Sequence, residues 1–216
     1  MNNNIFNIDH PLISMFVMIS FLSVIPSMLV MFTSFTRVVI VLSFLRQAIG
    51  GQQIPPNVVV VGLSIFITLF VMTPILDVLA KDSLTPLLDK KITLGEAFKR
   101  AEEPVKGFML KQTRQKDLAL FLRLSKMDTP EKPMQTPIKV VVPAFAISEL
   151  KTAFEMGFLL YLPFIIIDMV VASVMLSMGM MMVPPVMISL PFKLLLFVLV
   201  DGWNLVVGTL VRSFQQ

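Results

Sequence analysis

From position 157 to 190 the chain is apolar except for a single charge, Asp168, and it is interrupted once, at Gly179-Met180-Met181-Met182-Val183-Pro184-Pro185. A soluble helix keeps a polar face, whereas a bilayer core demands about 20 consecutive apolar residues per helical span. The run is too long for one span and continues past Lys193 to Val211. Proline lacks an amide hydrogen and pushes its predecessor out of helical dihedrals, so the tandem prolines predict two helices folded back on each other. Met180, Met181 and Met182 then stand at the tip of a helical hairpin.

The N-terminal part has the same rhythm. Positions 11–36 are uncharged, with Pro26 as a kink; Arg37 and Arg46 flank an apolar patch at 38–45. After the break Gly50-Gly51-Gln52-Gln53-Ile54-Pro55-Pro56-Asn57, positions 58–76 are again uncharged up to Asp77, with Pro74 inside. The first segment reads as a retained span. A cleavable signal peptide would show a basic n-region, a shorter apolar core and a small-residue cleavage site. Two apolar halves around Pro-Pro turns suggest an inverted-repeat transporter, but the halves share little beyond this rhythm.

Between them, positions 81–139 hold 13 of the 18 Lys and Arg residues and eight of the 14 acidic ones. This is an aqueous or headgroup-level segment. Thr93 and Glu96 have capping-box spacing, and Leu118, Phe121, Leu122 and Leu124 alternate with charges as on an amphipathic helix. Phe108 and Phe121, each a lone aromatic among charges, are candidate anchors for neighbouring subunits, with packing inside the segment as the alternative. The prolines from Pro130 to Pro137 mark a loop. Charges of both signs, without interleaved stacking aromatics, argue for solvated helix faces and against nucleic acid. At this length the segment does not set membrane orientation by its positive charge.

Composition points the same way: 56% hydrophobic residues, 15% charged, 17 Met and 18 Phe in 216 residues, with a mean hydropathy of +0.83. The predicted fold is all-α, an integral membrane protein of about four long apolar helices in two hairpins. Its parts are an N-terminal apolar hairpin over 1–80, a hydrophilic helical segment over 81–140, and a C-terminal apolar hairpin with a Met-rich turn over 141–216. The absence of cysteine removes disulfides, thiolate nucleophiles and Cys-based metal sites. The single histidine, His10, reads as an interfacial residue. With no Gly-x-Ser-x-Gly motif, no paired aspartates in a Gly-Asp setting and no metal cluster, no enzyme is expected.

Four charges in the apolar last third need partners: Glu149, Asp168, Lys193 and Asp201. An ionised side chain at the centre of a span costs about 2.5 to 3.5 kcal/mol on insertion scales, so it normally faces protein or a water-filled cavity. Asp201 lies two turns beyond Lys193 on roughly the same helix face, too far for a direct pair within one helix. The expectation is therefore that Lys193 pairs with a residue of another helix or of another subunit, Glu149 of a neighbouring subunit first, the alternative being that Lys193 and Asp201 snorkel to the membrane surface. Asp168 sits mid-segment, where a carboxyl is also a candidate proton carrier; this leaves a proton-coupled secondary transporter open.

Several stretches resemble the FliP/SctR family of type III export-gate proteins, flagellar and injectisome. They are Thr33-Ser34-Phe35-Thr36-Arg37-Val38-Val39, Leu45-Arg46-Gln47-Ala48, Pro55-Pro56-Asn57, Phe108-Met109-Leu110-Lys111-Gln112-Thr113-Arg114 and Ser148-Glu149-Leu150-Lys151-Thr152-Ala153-Phe154. The C-terminal third adds Leu162-Pro163-Phe164, Ile167-Asp168, Gly179 to Pro185, Leu190-Pro191-Phe192-Lys193 and Val200-Asp201-Gly202-Trp203 in family order. The resemblance runs from Met31 onward, and Ser34-Phe35-Thr36-Arg37 and Pro191-Phe192-Lys193 look flagellar.

The resemblance implies a non-enzymatic pore-forming subunit for unfolded flagellar proteins, without cofactors. It implies several copies joined to FliQ and FliR in a helical complex at the centre of the basal body, in the bacterial inner membrane, with much apolar surface buried against neighbours instead of lipid. Within that picture Met180, Met181 and Met182 are a gasket closing the resting pore, because flexible, polarizable side chains fill an irregular opening and yield to a passing chain. Glu149, Lys193, Asp168 and Asp201 are buried charges at subunit contacts. The alternatives are the equivalent injectisome subunit and, from another class, the transporter.

Overall fold

The computed structural model describes residues 15–16, 19–20, 23, 30–50, 55–127, 130–180 and 182–215. Over these the chain is helical and contains no strand. The expected span at 11–36, with its Pro26 kink, lies mostly outside the described residues.

Helix α1 (Phe35–Ala48) buries Val38, Val41, Leu42, Leu45 and Ala48, a stripe at three- and four-residue spacing that faces the core. Helix α2 (Asn57–Leu79) starts directly after Pro55-Pro56, whose ring geometry admits a helix only downstream. It runs through a wide turn at Ala80–Leu84 into α3 (Thr85–Leu88). Pro86 explains the wide turn: it has no N–H for the carbonyl of Asp82, four residues back, and that oxygen instead accepts from Arg100 Nη1 at 3.4 Å.

Helix α4 (Leu94–Gln112) opens with the expected capping box, the Glu96 amide donating to Thr93 Oγ1 at 3.3 Å and the Thr93 amide to Glu96 Oε2 at 2.9 Å. Helix α5 (Gln115–Leu124) follows where the amphipathic pattern placed it. After the proline loop, α6 (Ile138–Ser177) runs unbroken for 40 residues, about 60 Å at 1.5 Å per residue. Its first half buries Val140, Val141, Ala144, Phe145, Glu149 and Ala153; beyond Gly157 only Phe164 and Met175 are buried. A Cβ at Gly157 would lie 2.7 Å from the Phe44 ring, so this glycine permits the close approach of α1 to α6.

Past the Met-rich turn, Pro185 occupies the first position of α7 (Pro185–Leu199), where its missing N–H costs nothing. Helix α8 (Gly202–Arg212) follows at 64° to α7. The bend falls at Asp201, which adopts a left-handed backbone (φ 52°), and at Gly202, where a Cβ would meet the Phe197 ring at 2.1 Å.

One hydrophobic core joins α1, α2, α4, α6, α7 and α8, so the three expected segments pack into a single body. Asn57–Leu88, 32 residues of mean hydropathy 2.5, and Ile138–Ser177, 40 residues of mean hydropathy 2.4, are long and apolar enough to cross a membrane. The bent α7–α8 pair makes a third if it counts as one span. The described residues thus hold two or three such helices, and the first of the four expected spans lies mostly outside them.

Candidate functional site

Three polar clusters organise the apolar body. The first centres on Arg37, in the first turn of α1, and Glu149, in the first half of α6. Both are buried, at 2% and 0% exposure. Arg37 Nε donates to Glu149 Oε2 at 2.9 Å and Nη2 to Glu149 Oε1, a two-pronged guanidinium–carboxylate pair. Nη2 also donates to Gln112 Oε1 at 3.1 Å, and Nη1 donates to the carbonyl and hydroxyl of Ser213 at 3.2 and 3.0 Å. The Phe214 ring lies 3.9 Å from the guanidinium carbon, and Gln112 Nε2 donates to the Phe214 carbonyl at 3.1 Å. All five Arg37 donors are used. One side chain therefore ties α1, α4, α6 and the end of the chain together, and a buried ion pair is tolerable only with such complete satisfaction.

The second cluster joins α6 to α7. Lys193, 2% exposed, donates to Asp168 Oδ2 at 2.6 Å, and Ser189 Oγ donates to Asp168 Oδ1 at 2.5 Å. The third docks the hydrophilic segment onto α6. Arg114 bridges both oxygens of Glu155 at 3.0 and 2.5 Å, its amide donates to Ser148 Oγ at 2.9 Å, and Ser148 donates to Asp117 at 2.7 Å.

These geometries settle where the anticipated residues stand. Glu149 and Lys193 do not pair within the chain; each has a partner of its own, Arg37 and Asp168. Asp201 is exposed at the α7–α8 bend and accepts from Asn204 Nδ2 at 3.1 Å. Phe108 is 9% exposed and packs edge-on against Phe145, with centroids 5.9 Å apart, so its ring is used inside the chain's own core. Phe121 is half-buried. At the Met-rich turn Met182 is 96% exposed, while Met180 lies against the apolar trough between α6 and α7. Met181 lies outside the described residues.

Sequence reasoning missed Arg37. It appeared as a flank of an apolar patch and inside a resemblance motif, with no role of its own, although it is the first charge after a long uncharged stretch, and the argument applied to Glu149 and Lys193 applies to it equally. Among the described residues, no group of three or more His, Cys, Asp or Glu side chains is placed to hold a metal ion.

Comparison with known proteins agrees with the motifs. The FliP family pattern matches residues 18–210. The flagellar biosynthetic protein FliP of Bacillus subtilis is 56% identical over 216 residues, covering 98% of each chain. That of Caulobacter vibrioides is 58% identical over 195 residues, covering 90% of this chain and 73% of its own. That of Aquifex aeolicus is 53% identical over 205 residues, covering 94% and 86%. The chain belongs to the FliP family.

Proposed function

We propose that the chain is a pore-forming core subunit of the flagellar type III protein export gate, through which unfolded flagellar proteins pass. In this reading several copies assemble with FliQ and FliR in the bacterial inner membrane at the flagellar basal body. The protein supplies a passage and no catalysis, and energy comes from other parts of the apparatus. The flagellar names of its relatives favour the flagellum over the injectisome.

The observation that carries the reading is the state of the outer half of α6 together with α7. Their surfaces are apolar and open, with Phe158 58%, Ile166 60%, Met169 65% and Leu195 58% exposed. The Arg37–Glu149 and Asp168–Lys193 charges are meanwhile paired inside the chain. Apolar area of this extent marks surface that lipid or neighbouring subunits cover. The Met-rich turn stands at the end of this exposed pair of helices, where a ring of copies would bring the methionines together. A narrow apolar constriction excludes water and ions by dewetting.

The proton-coupled transporter needs an exchangeable carboxyl. Asp168, the mid-segment candidate for it, accepts from both Lys193 and Ser189. The native mass of the detergent-extracted protein separates the two. A stable hetero-oligomer with several copies of this chain is expected; a monomer or simple dimer that moves a small solute would refute the gate.

A further inference from the structure

Beside the Asp168–Lys193 pair lies a cavity of about 410 Å³, lined by Arg46, Gln47, Tyr161, Asp168 and Lys193 among others. Two cations face one carboxylate, which leaves one positive charge in excess. The excess belongs to Arg46, because Asp168 is engaged by Lys193 at 2.6 Å. Among the described residues Arg46 has no carboxylate partner, and its Nε–H is buried without an acceptor. The side chains of Gln47 and Tyr161 make no hydrogen bond there either. Buried donors are almost always paired, so the orphaned Arg46 Nε–H, on a positively charged cavity that the exposed Gln47 and half-buried Tyr161 side chains also line, marks a place for an anion.

We infer that this cavity binds the phosphate of an anionic phospholipid headgroup. The guanidinium fork of Arg46 matches two oxygens of a tetrahedral phosphate, and the Tyr161 hydroxyl and the Gln47 amide supply neutral donors beside it. Size argues against the obvious rival, a carboxylate from a neighbouring chain. The volume falls within the range of about 300–1,000 Å³ typical of small-molecule sites, of which one inserted Asp or Glu side chain would fill only a fraction. Surroundings argue for lipid. Tyr161 and Asp168 belong to a helix long and apolar enough to cross a membrane, and Leu162, Val186 and Ile166 nearby are exposed and apolar, suited to acyl chains. Basic pockets between membrane helices are a recurrent way of holding headgroups. The inference does not depend on the pore reading.

The test uses the full-length chain, purified from membranes in detergent with its bound subunits and stripped of lipid. It is titrated separately with phosphatidylglycerol, phosphatidylcholine and inorganic phosphate, and bound ligand per chain is read by mass spectrometry. Saturable phosphatidylglycerol binding is expected, at least tenfold weaker after Arg46→Gln and unchanged after Lys99→Gln on distant α4. Phosphatidylcholine, whose phosphate is offset by its own cation, should bind at least tenfold less tightly. Tyr161→Phe removes only a hydroxyl and should weaken phosphatidylglycerol severalfold; it carries the test if Arg46→Gln fails to assemble. Wild-type binding by both variants overturns the site. Inorganic phosphate binding as tightly as the lipid overturns the headgroup assignment, and a crosslink from position 46 to an acidic residue of a neighbouring chain would hand the cavity to a protein carboxylate.

Discussion

Arg37 and Glu149, 112 positions apart in sequence, meet in a two-pronged ion pair at the centre of the molecule, both essentially inaccessible to solvent. Because Arg37 also holds Gln112 and Ser213, the pair fixes how the N-terminal helix, the hydrophilic segment and the end of the chain sit on α6.

Removing one partner leaves a buried charge uncompensated, at a typical cost of about 3 to 5 kcal/mol. Arg37→Ala or Glu149→Ala should therefore lower the thermal midpoint of the detergent-extracted protein sharply and loosen the C-terminal helix to protease. The exchange Arg37→Glu with Glu149→Arg should recover part of the loss. A midpoint unmoved by either single substitution contradicts the assignment.

The Asp168–Lys193 pair makes a competing claim against the expected Glu149–Lys193 contact between subunits. Lys193→Glu should impair assembly, and the structure directs the rescue to Asp168→Lys, on the same chain. Native gels of the two double variants decide the matter. Rescue by Glu149→Lys and not by Asp168→Lys would restore the contact between subunits.

A third expectation concerns pH at the start of α4. The Thr93 backbone amide, and then the Thr93 hydroxyl, hold the exposed Glu96 carboxyl below the ordinary carboxylate range. A lowered pKa in the folded state means stabilisation that is present above the ordinary carboxylate pKa and lost as pH falls through the lowered value. Amide protection in the first turn of α4, taken relative to the intrinsic exchange rate at each pH, should therefore fall only under acid conditions. Thr93→Ala should lower it at neutral pH, with about 1 kcal/mol of local stability lost; equal exchange in both proteins would refute the cap.

The long spans and the capping box were legible because each rests on local pattern: apolar length for Ile138–Ser177, and an i, i+3 Thr–Glu spacing for Thr93 and Glu96. Partner choice was not local. Lys193 and Asp201 share a face only if the helix continues, but it ends at Leu199 and bends 64° around a left-handed Asp201. The turn after α6 instead brings Lys193 and Ser189 back onto Asp168. Phe108 among charges looked like an exposed anchor. On a helix, its sequence neighbours point elsewhere while its own side chain meets Phe145, which no sequence spacing reveals.

The central claim is that the Met-rich turn seals a protein-conducting pore, and the direct measurement is ion and solute leak through membranes carrying the complex with Met180, Met181 and Met182 all replaced by Ala. Assembly should survive, since Met182 is almost fully exposed and makes little contribution to the chain's own packing. The account predicts an assembled complex, verified on a native gel, whose membrane has become permeable to small ions and solutes. An assembled triple variant with unchanged conductance would contradict it.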